Sequence, residues 1–391
     1  MPPLFIYVTG FRQHAGKTVT SLGLLSLLKQ IYDPTELGYI KPVGQEMVKG
    51  PDGSLYDKDA AVIQRFGGIP DIDPQDISPV RLTSGFTKEF MESKDPLSIT
   101  LSLANDIERA VQTMKNKKVI VAEGTGHPGV GGIVGLSNAE VSNRLKAETV
   151  FLSGGGIGKA LDQLEVDLSY FIYKKSNVRG VIFNKIIPEK MDQTKKFLTE
   201  DYLNRMYGKF ENPLRIFGYL PTVEDLDKPS MQIIHEAFKQ GEALGDRETA
   251  KWTRPTNQVK IITLPEEYLN LNSYLHPADI LILGAGSKNR MKMIIDYHKA
   301  QPPGQGIGGI ILTCGRVTDL LDESRRELED TGIPGLYVQE DTAEAENVVR
   351  NCFENTKLQV FDAGKALEIE SLFQKYFDWD KFKKTLGLRK S

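Results

Sequence analysis

The residues best equipped for chemistry lie near the start of the chain. An apolar run, Leu4 to Val8, leads into Thr9-Gly10-Phe11-Arg12-Gln13-His14-Ala15-Gly16-Lys17-Thr18, and Val19 to Leu28 then repeats with helical period. A strand that hands over to a helix through a glycine-bounded loop is suited to holding phosphate. Gly10 and Gly16 let the backbone turn its N–H groups inward, those of Gln13, His14, Ala15 and Val19 among them, and the helix start adds positive potential. Lys17 can reach the outer phosphates, and the Thr18 hydroxyl can ligate magnesium. Five residues separate the two glycines here, where the standard loop has about four.

Magnesium takes oxygen ligands and usually one or two carboxylates. Glu123 closes the run Lys118 to Ala122 and opens Gly124-Thr125-Gly126, at the strand end where open α/β folds bind ligands. Asp59, in Asp57-Lys58-Asp59-Ala60-Ala61, is a second candidate, although acids that open a helix also serve its dipole. Lys41 follows Gly38 to Ile40 and precedes Pro42, which puts an ammonium at the same sheet edge. Asn184 ends Val181 to Phe183. An amide there can donate and accept together, as reading a purine edge requires, and asparagine serves equally as a turn residue.

Positioning these groups takes alternating strands and helices. Short apolar runs at Leu4 to Val8, Gly38 to Lys41, Lys118 to Ala122, Thr149 to Leu152, Val178 to Phe183 and Leu214 to Tyr219 alternate with helix-period stretches such as Thr18 to Gln30 and Leu97 to Lys115. That order predicts an α/β domain with a doubly wound, mostly parallel sheet over residues 1–238. A polar stretch holding Gly241, Gly245, Lys251, Arg254 and Pro255 reads as a linker over residues 239–258. Beyond it, Val259 to Leu264, Ile280 to Leu283, Gly308 to Leu312 and Gly335 to Val338 predict a second, smaller α/β domain over residues 259–391. That domain is expected to close on one helix from Ala363 to Lys384.

A length of 391 residues suits two domains, and a formal charge of -3 excludes a global field for nucleic acid or membrane. No apolar run approaches the roughly 18 residues of a membrane span. Cys314 and Cys352 have neither metal nor redox spacing, and no export signal is evident, so a cytoplasmic protein is expected. Small molecules are the partners left.

Taken together, Thr9 to Thr18, Tyr39-Ile40-Lys41-Pro42-Val43, Asp59-Ala60, Glu123-Gly124-Thr125-Gly126 and Asn184 resemble dethiobiotin synthetase in type and order, over about residues 1–235. That family is a P-loop ATPase that carboxylates a diamine and closes a cyclic urea through a carbamoyl phosphate. The resemblance implies ATP and Mg2+ as cofactors and in-line attack on the γ-phosphate. It implies Lys17 and Thr18 on phosphate and magnesium, Asp59 and Glu123 on the metal, and Lys41 on substrate or carbamate. Asn184 would read adenine, Leu220 and Pro221 would border the base, and Lys17, Lys41 and Glu123 would be catalytic. A homodimer paired near Lys41 and the segment after Glu123 is implied too. The loop differs from the family's in carrying Arg12, Gln13 and His14 where acidic and threonine residues are usual. Cations there favour an anionic acceptor, so dethiobiotin formation is not expected.

Farther on, Ala278-Asp279-Ile280, Gly284-Ala285-Gly286, Ile310-Ile311-Leu312-Thr313 and Ile333-Pro334-Gly335 resemble a DRTGG domain over about residues 259–350. Some bacterial phosphate acetyltransferases carry such a domain after a dethiobiotin-synthetase-like one. Cys314 does not make a glutaminase nucleophile, because the last histidine, His298, precedes it; it reads as a strand-end core residue. Two function classes follow. One is an ATP-dependent ligase or phosphoryl-transfer enzyme acting on a small carboxylate or amine, the other a nucleotide-responsive regulatory module without catalysis of its own.

Overall fold

The structure, a computed structural model, describes residues 2–49, 53–83, 85–208, 210–263, 265–314 and 322–390, without the side chains of 322–325. Two units divide the chain: residues 1–222 with 358–391, and residues 223–357.

Six parallel strands form the central sheet of the first unit. They are β1 (Leu4–Gly10), β2 (Leu37–Ile40), β3 (Val119–Glu123), β4 (Glu148–Ser153), β5 (Val178–Ile186) and β6 (Arg215–Pro221), in the order β6-β5-β4-β1-β3-β2. Every residue of β2 and β3 is buried, which is why these strands read as continuous apolar runs. Helices α1 (Lys17–Leu28), α2 (Lys58–Phe66), α3 (Pro96–Thr113), α4 (Asn138–Arg144) and α5 (Ile157–Tyr173) supply the other layers. Ile107 and Ala110 of α3 pack with Phe5, Tyr7 and Ile120, whereas Leu164 and Leu168 of α5 pack with Phe151 and Phe183. The strand order reverses at β1, between β3 and β4, and the loop leaving β1 therefore opens at the crevice where such folds bind ligands.

The second unit holds β7 (Glu242–Leu244), β8 (Val259–Ile261), β9 (Ile280–Gly284), β10 (Gly309–Thr313) and β11 (Gly335–Tyr337), in the order β7-β11-β10-β9-β8. All pairs are parallel except β7 with β11. Helices α6 (Lys288–Ala300), α7 (Asp322–Thr331) and α8 (Thr342–Asn355) belong to it, with Ile294 of α6 and Val349 of α8 in separate core clusters. The fold class is the one expected, a mostly parallel α/β sheet domain and a smaller α/β unit.

The division between units falls elsewhere than the sequence suggested. The second unit starts at Val223, and the expected linker is built into it: Glu242–Leu244 pairs as a strand, and Leu244 and Trp252 are buried in its cores. Two apolar residues in a polar stretch were enough to anchor it.

Residues 358–391 return to the first unit. The expected helix Ala363 to Lys384 is two, α9 (Ala363–Tyr376) and α10 (Trp379–Leu386). Between them Phe377 bridges Gly218 on the outermost strand β6, and the Asp378 N–H donates to the Phe217 carbonyl at 2.7 Å. Asp378 also caps α10 by accepting from the Lys381 N–H at 3.0 Å. The break thus covers part of an edge whose backbone groups would otherwise lack partners. Cys314, expected in a core, is exposed: it follows β10 in a left-handed turn with φ 52°, its Sγ 3.6 Å from Thr342 Oγ1. Leu264 and Gly315 lie outside the described residues. Among those described, no helix is long and apolar enough to cross a membrane.

Candidate functional site

The loop between β1 and α1 is shaped by two residues in the left-handed region, His14 at φ 59° and Gly16 at φ 95°. A Cβ on Gly16 would stand 2.4 Å from Asn184 Nδ2, so both backbone and space demand glycine there. Asn184, near the end of β5, donates Nδ2 to the Ala15 carbonyl at 2.9 Å, and its Oδ1 accepts from the Lys185 N–H at 2.9 Å. Its first task is to hold the loop. One amide hydrogen and one oxygen lone pair still remain for a ligand. Lys17 lies over the same loop, its ammonium donating to the carbonyls of Arg12 at 3.0 Å and Gly126 at 2.9 Å. Val19 continues the first turn of α1, and Gly10 ends β1.

Beside the loop sits a buried charge cluster. Thr18 Oγ1 donates to Glu123 Oε1 at 2.8 Å, and the Tyr39 hydroxyl donates to Glu123 Oε2 at 3.0 Å. Lys41 pairs with Asp57 at 2.8 Å, with Asp59, and more distantly with Glu123 Oε1 at 3.9 Å. Asp57 caps α2, accepting from the Asp59 N–H at 2.9 Å, which aims both acids at one place. Burial pushes the Glu123 carboxyl well above the usual carboxylate range; Lys41 pulls it down and Asp59 pushes it up. For Lys41, burial opposes the charge, but Asp59, Asp57 and Glu123 outweigh that and raise its pKa. Burial, then Glu123, likewise raises the Tyr39 hydroxyl.

Lys41, expected to contact substrate or carbamate, is thus placed among three acids. Lys41 is 3% exposed and lines neither of the two cavities beside the loop. Among the described residues no three His, Cys, Asp or Glu side chains could hold a metal by themselves. Any hard cation here needs the Thr18 hydroxyl and ligand oxygens as well.

Two cavities flank the loop. One of about 190 Å³ is lined by Phe11, His14, Gly155, Lys159 and Asn184, among others; the second, of about 460 Å³, by Arg12, Gln13, Gln45, His127 and Asp167, among others. Gln13 also donates to Glu46 Oε1 at 3.0 Å. Leu220 and Pro221 line neither, and Leu220 is fully buried in β6.

Several working residues escaped the sequence reading. Asn138 clamps the segment after β3: Nδ2 donates to the carbonyls of Thr125 at 2.8 Å and His127 at 2.7 Å, while Oδ1 accepts from the Thr125 N–H and the Tyr7 hydroxyl, both at 3.0 Å. All four of its hydrogen-bonding capacities are used. It opens α4, where Ser137 and Glu140 form a capping box. Tyr39 was read only as strand, and Asp57 only as a neighbour of Asp59. The Asp57-x-Asp59 spacing was the one signal that could have exposed the pair.

Among curated proteins none matches this chain. Of solved structures, one neighbour comprises the CBS and DRTGG domains of the regulatory region of Clostridium perfringens pyrophosphatase complexed with its activator, diadenosine tetraphosphate. It shows 14% identity and a TM-score of 0.26, covering 39% of this chain and 62% of that one. Another is the cell division protein ftsY from Thermotoga maritima, at 15% identity and a TM-score of 0.28, covering 57% of this chain and 63% of that one. The match spans less than two thirds of either neighbour, and likenesses at these scores bear no weight. The model of the AAA_26 family, an AAA domain, matches residues 5–230, which contain the phosphate loop, the acid cluster and both cavities. Those residues are more than half of the 391, and the chain belongs to the AAA_26 family of AAA domains.

Proposed function

We propose that the first unit binds ATP with Mg2+ and uses it as a ligase or phosphoryl-transfer enzyme on a small carboxylate or amine. The observation that carries this reading is the 2.8 Å bond between Thr18 Oγ1 and Glu123 Oε1, at the mouth of a loop covered by the Lys17 ammonium. A hydroxyl and a carboxylate meet there beside the place where phosphates bind on such loops.

The donor set fits magnesium. Asp57, Asp59 and Glu123 surround the single Lys41 cation, so the cluster has carboxylate charge to spare, and its atoms are the hard oxygens that Mg2+ prefers. When bound, magnesium would supply positive charge that offsets the charge on the phosphates. Thr18 and Glu123 would hold it, with Asp59 beside them. Lys17 would exchange its two carbonyl partners for the outer phosphates, and the loop N–H groups would cradle the rest. Lys41 keeps three acids in register and acts as a positioning residue. Asn184, which lines the smaller cavity, has the spare donor and acceptor to read adenine.

Pairing into a homodimer belongs to the same reading, supported by Ile133, 48% exposed on the segment after Glu123. The second unit is read as DRTGG-like on its residues Ala278 to Gly335, with no chemistry assigned to it.

The test is magnesium-dependent binding of a fluorescent ATP analogue, followed by ADP release with a panel of small carboxylates and amines. Wild type is expected to bind and to turn over with at least one acceptor, and Lys17→Ala is expected to lose roughly tenfold to hundredfold in affinity. A wild-type protein that does not bind ATP refutes the reading.

A further inference from the structure

Among the described residues, the segment after β3 carries a hydrogen-bond donor with no partner. Gly126 takes φ 60°, and a Cβ on it would stand 2.6 Å from Val130 Cγ2, so the chain turns sharply just before His127. Both sides of that turn are held. The Gly126 carbonyl accepts from the Lys17 ammonium at 2.9 Å, and the His127 carbonyl accepts from Asn138 Nδ2 at 2.7 Å and from the Val130 N–H at 3.1 Å. The ring itself is exposed, and its Nδ1 accepts from the Gly129 N–H at 3.2 Å. An accepting Nδ1 assigns the proton of the neutral ring to Nε2. His127 is therefore set up as an N–H donor and not as a base.

Arg12, also exposed, lines the same 460 Å³ cavity as His127. The Lys17 ammonium ties the two together, because it bonds the Arg12 carbonyl at 3.0 Å and the carbonyl of Gly126, the residue before His127, at 2.9 Å. The Arg12 guanidinium stands over the Phe11 ring, 5.1 Å from its centroid, and among the described residues it forms no ion pair and no hydrogen bond. A guanidinium with its donors free and an imidazole N–H beside it suit an oxyanion. An ammonium offers them no acceptor and is repelled by Arg12. Asp167 is the acid among the residues that line the cavity. It is 5% exposed, one of its oxygens is shut off from solvent, and the other accepts from Gln163 Nε2 at 3.1 Å. The charge most open to a ligand is thus that of Arg12, and the volume suits a small metabolite.

We propose that this cavity is the acceptor subsite and that Arg12 and the Nε2–H of His127 together bind an oxyanion of the acceptor, a carboxylate or a phosphate. The inference deepens the ATP-dependent reaction above and rests on it. His127 falls at none of the positions that the likeness to dethiobiotin synthetase assigns. His14, which the sequence offered beside Arg12 for an anion, does not line this cavity.

Ligand-observed saturation-transfer NMR on the full chain tests this, with hexanoate, hexyl phosphate and 1-aminohexane as probes. The magnesium complex of a non-hydrolysable ATP analogue is present to fill the phosphate loop, and its own binding is measured in the same samples. At least one anion is expected to bind and the amine is not, and the tighter anion tells a carboxylate from a phosphate. Arg12→Gln should loosen that anion by about tenfold or more, and His127→Phe, which keeps a ring and removes the donor, by about threefold to tenfold. Both positions are exposed, so the melting temperature should not change. Lys159→Gln, which alters the smaller cavity alone, should bind the anion as wild type does. Unchanged anion affinity in either Arg12→Gln or His127→Phe overturns the proposal, as does binding of the amine alone or a loss confined to Lys159→Gln. If the ATP analogue binds and no probe does, the subsite falls and the nucleotide reading stands. Anion binding that depends on Arg12 and His127 in a protein that does not bind the analogue supports the subsite and removes the nucleotide reading.

Discussion

Thr18 Oγ1 stands 2.8 Å from Glu123 Oε1, so the first turn of α1 and the last residue of β3 share one hydrogen bond across 105 positions of sequence. β1 and β3 are adjacent and parallel, with Val8 opposite Glu123, which brings both groups to one end of the sheet. Their neighbour Lys41 reaches the same point from β2, which pairs with the other side of β3.

Replacing a metal-facing acid by its amide keeps the oxygen and removes the charge. Glu123→Gln and Asp59→Asn are each expected to raise the magnesium concentration needed for half-maximal ATP binding by roughly tenfold. Titrations that superimpose on wild type for both variants would withdraw them as metal residues.

Asn184→Ala removes the clamp on the Ala15 carbonyl together with the candidate base contact. Affinity for inorganic triphosphate is expected to fall severalfold, and affinity for ATP further still, because only ATP loses the second interaction. If the two ligands lose affinity by the same factor, Asn184 positions the loop and does not read the base.

The buried Asp167 gives a pH signature of its own. Its folded-state pKa of about 6 lies above the ordinary unfolded value near 4, so the folded state holds the proton more tightly. This contribution is therefore harmless below pH 4, and stability falls as pH rises through 6. By pH 7 the deficit is roughly 2–3 kcal/mol. Asp167→Asn should melt higher than wild type at pH 7, with the difference closing towards pH 4. A gap that does not change with pH refutes the assignment.

Gly23 lies where α1 meets α9, and a Cβ there would stand 2.3 Å from the Phe373 ring. Gly23→Leu should therefore force α9 outward and cost about 1–3 kcal/mol by overpacking, read as a lower urea midpoint. An unchanged midpoint would mean that the C-terminal helices do not pack on the first unit in solution.

The sequence by itself determined the strand-loop-helix that makes the phosphate site and the parallel sheet around it. Both are local signals: Gly16-Lys17-Thr18 after an apolar run needs no partner to be read, and fully buried strands appear as unbroken apolar segments. It also named Thr18, Glu123, Asp59 and Lys41, which the fold brings together. What it left open depends on contacts between residues far apart in sequence. That Lys41 is enclosed by three acids, that Asn138 and Asn184 brace the two loops, and that residues 358–391 return to the first unit follow from strand order and packing. Asp167 shows the limit most clearly. In the sequence it is one polar residue on an amphipathic helix, and only the tertiary structure, by closing the core around one of its oxygens, raises its pKa.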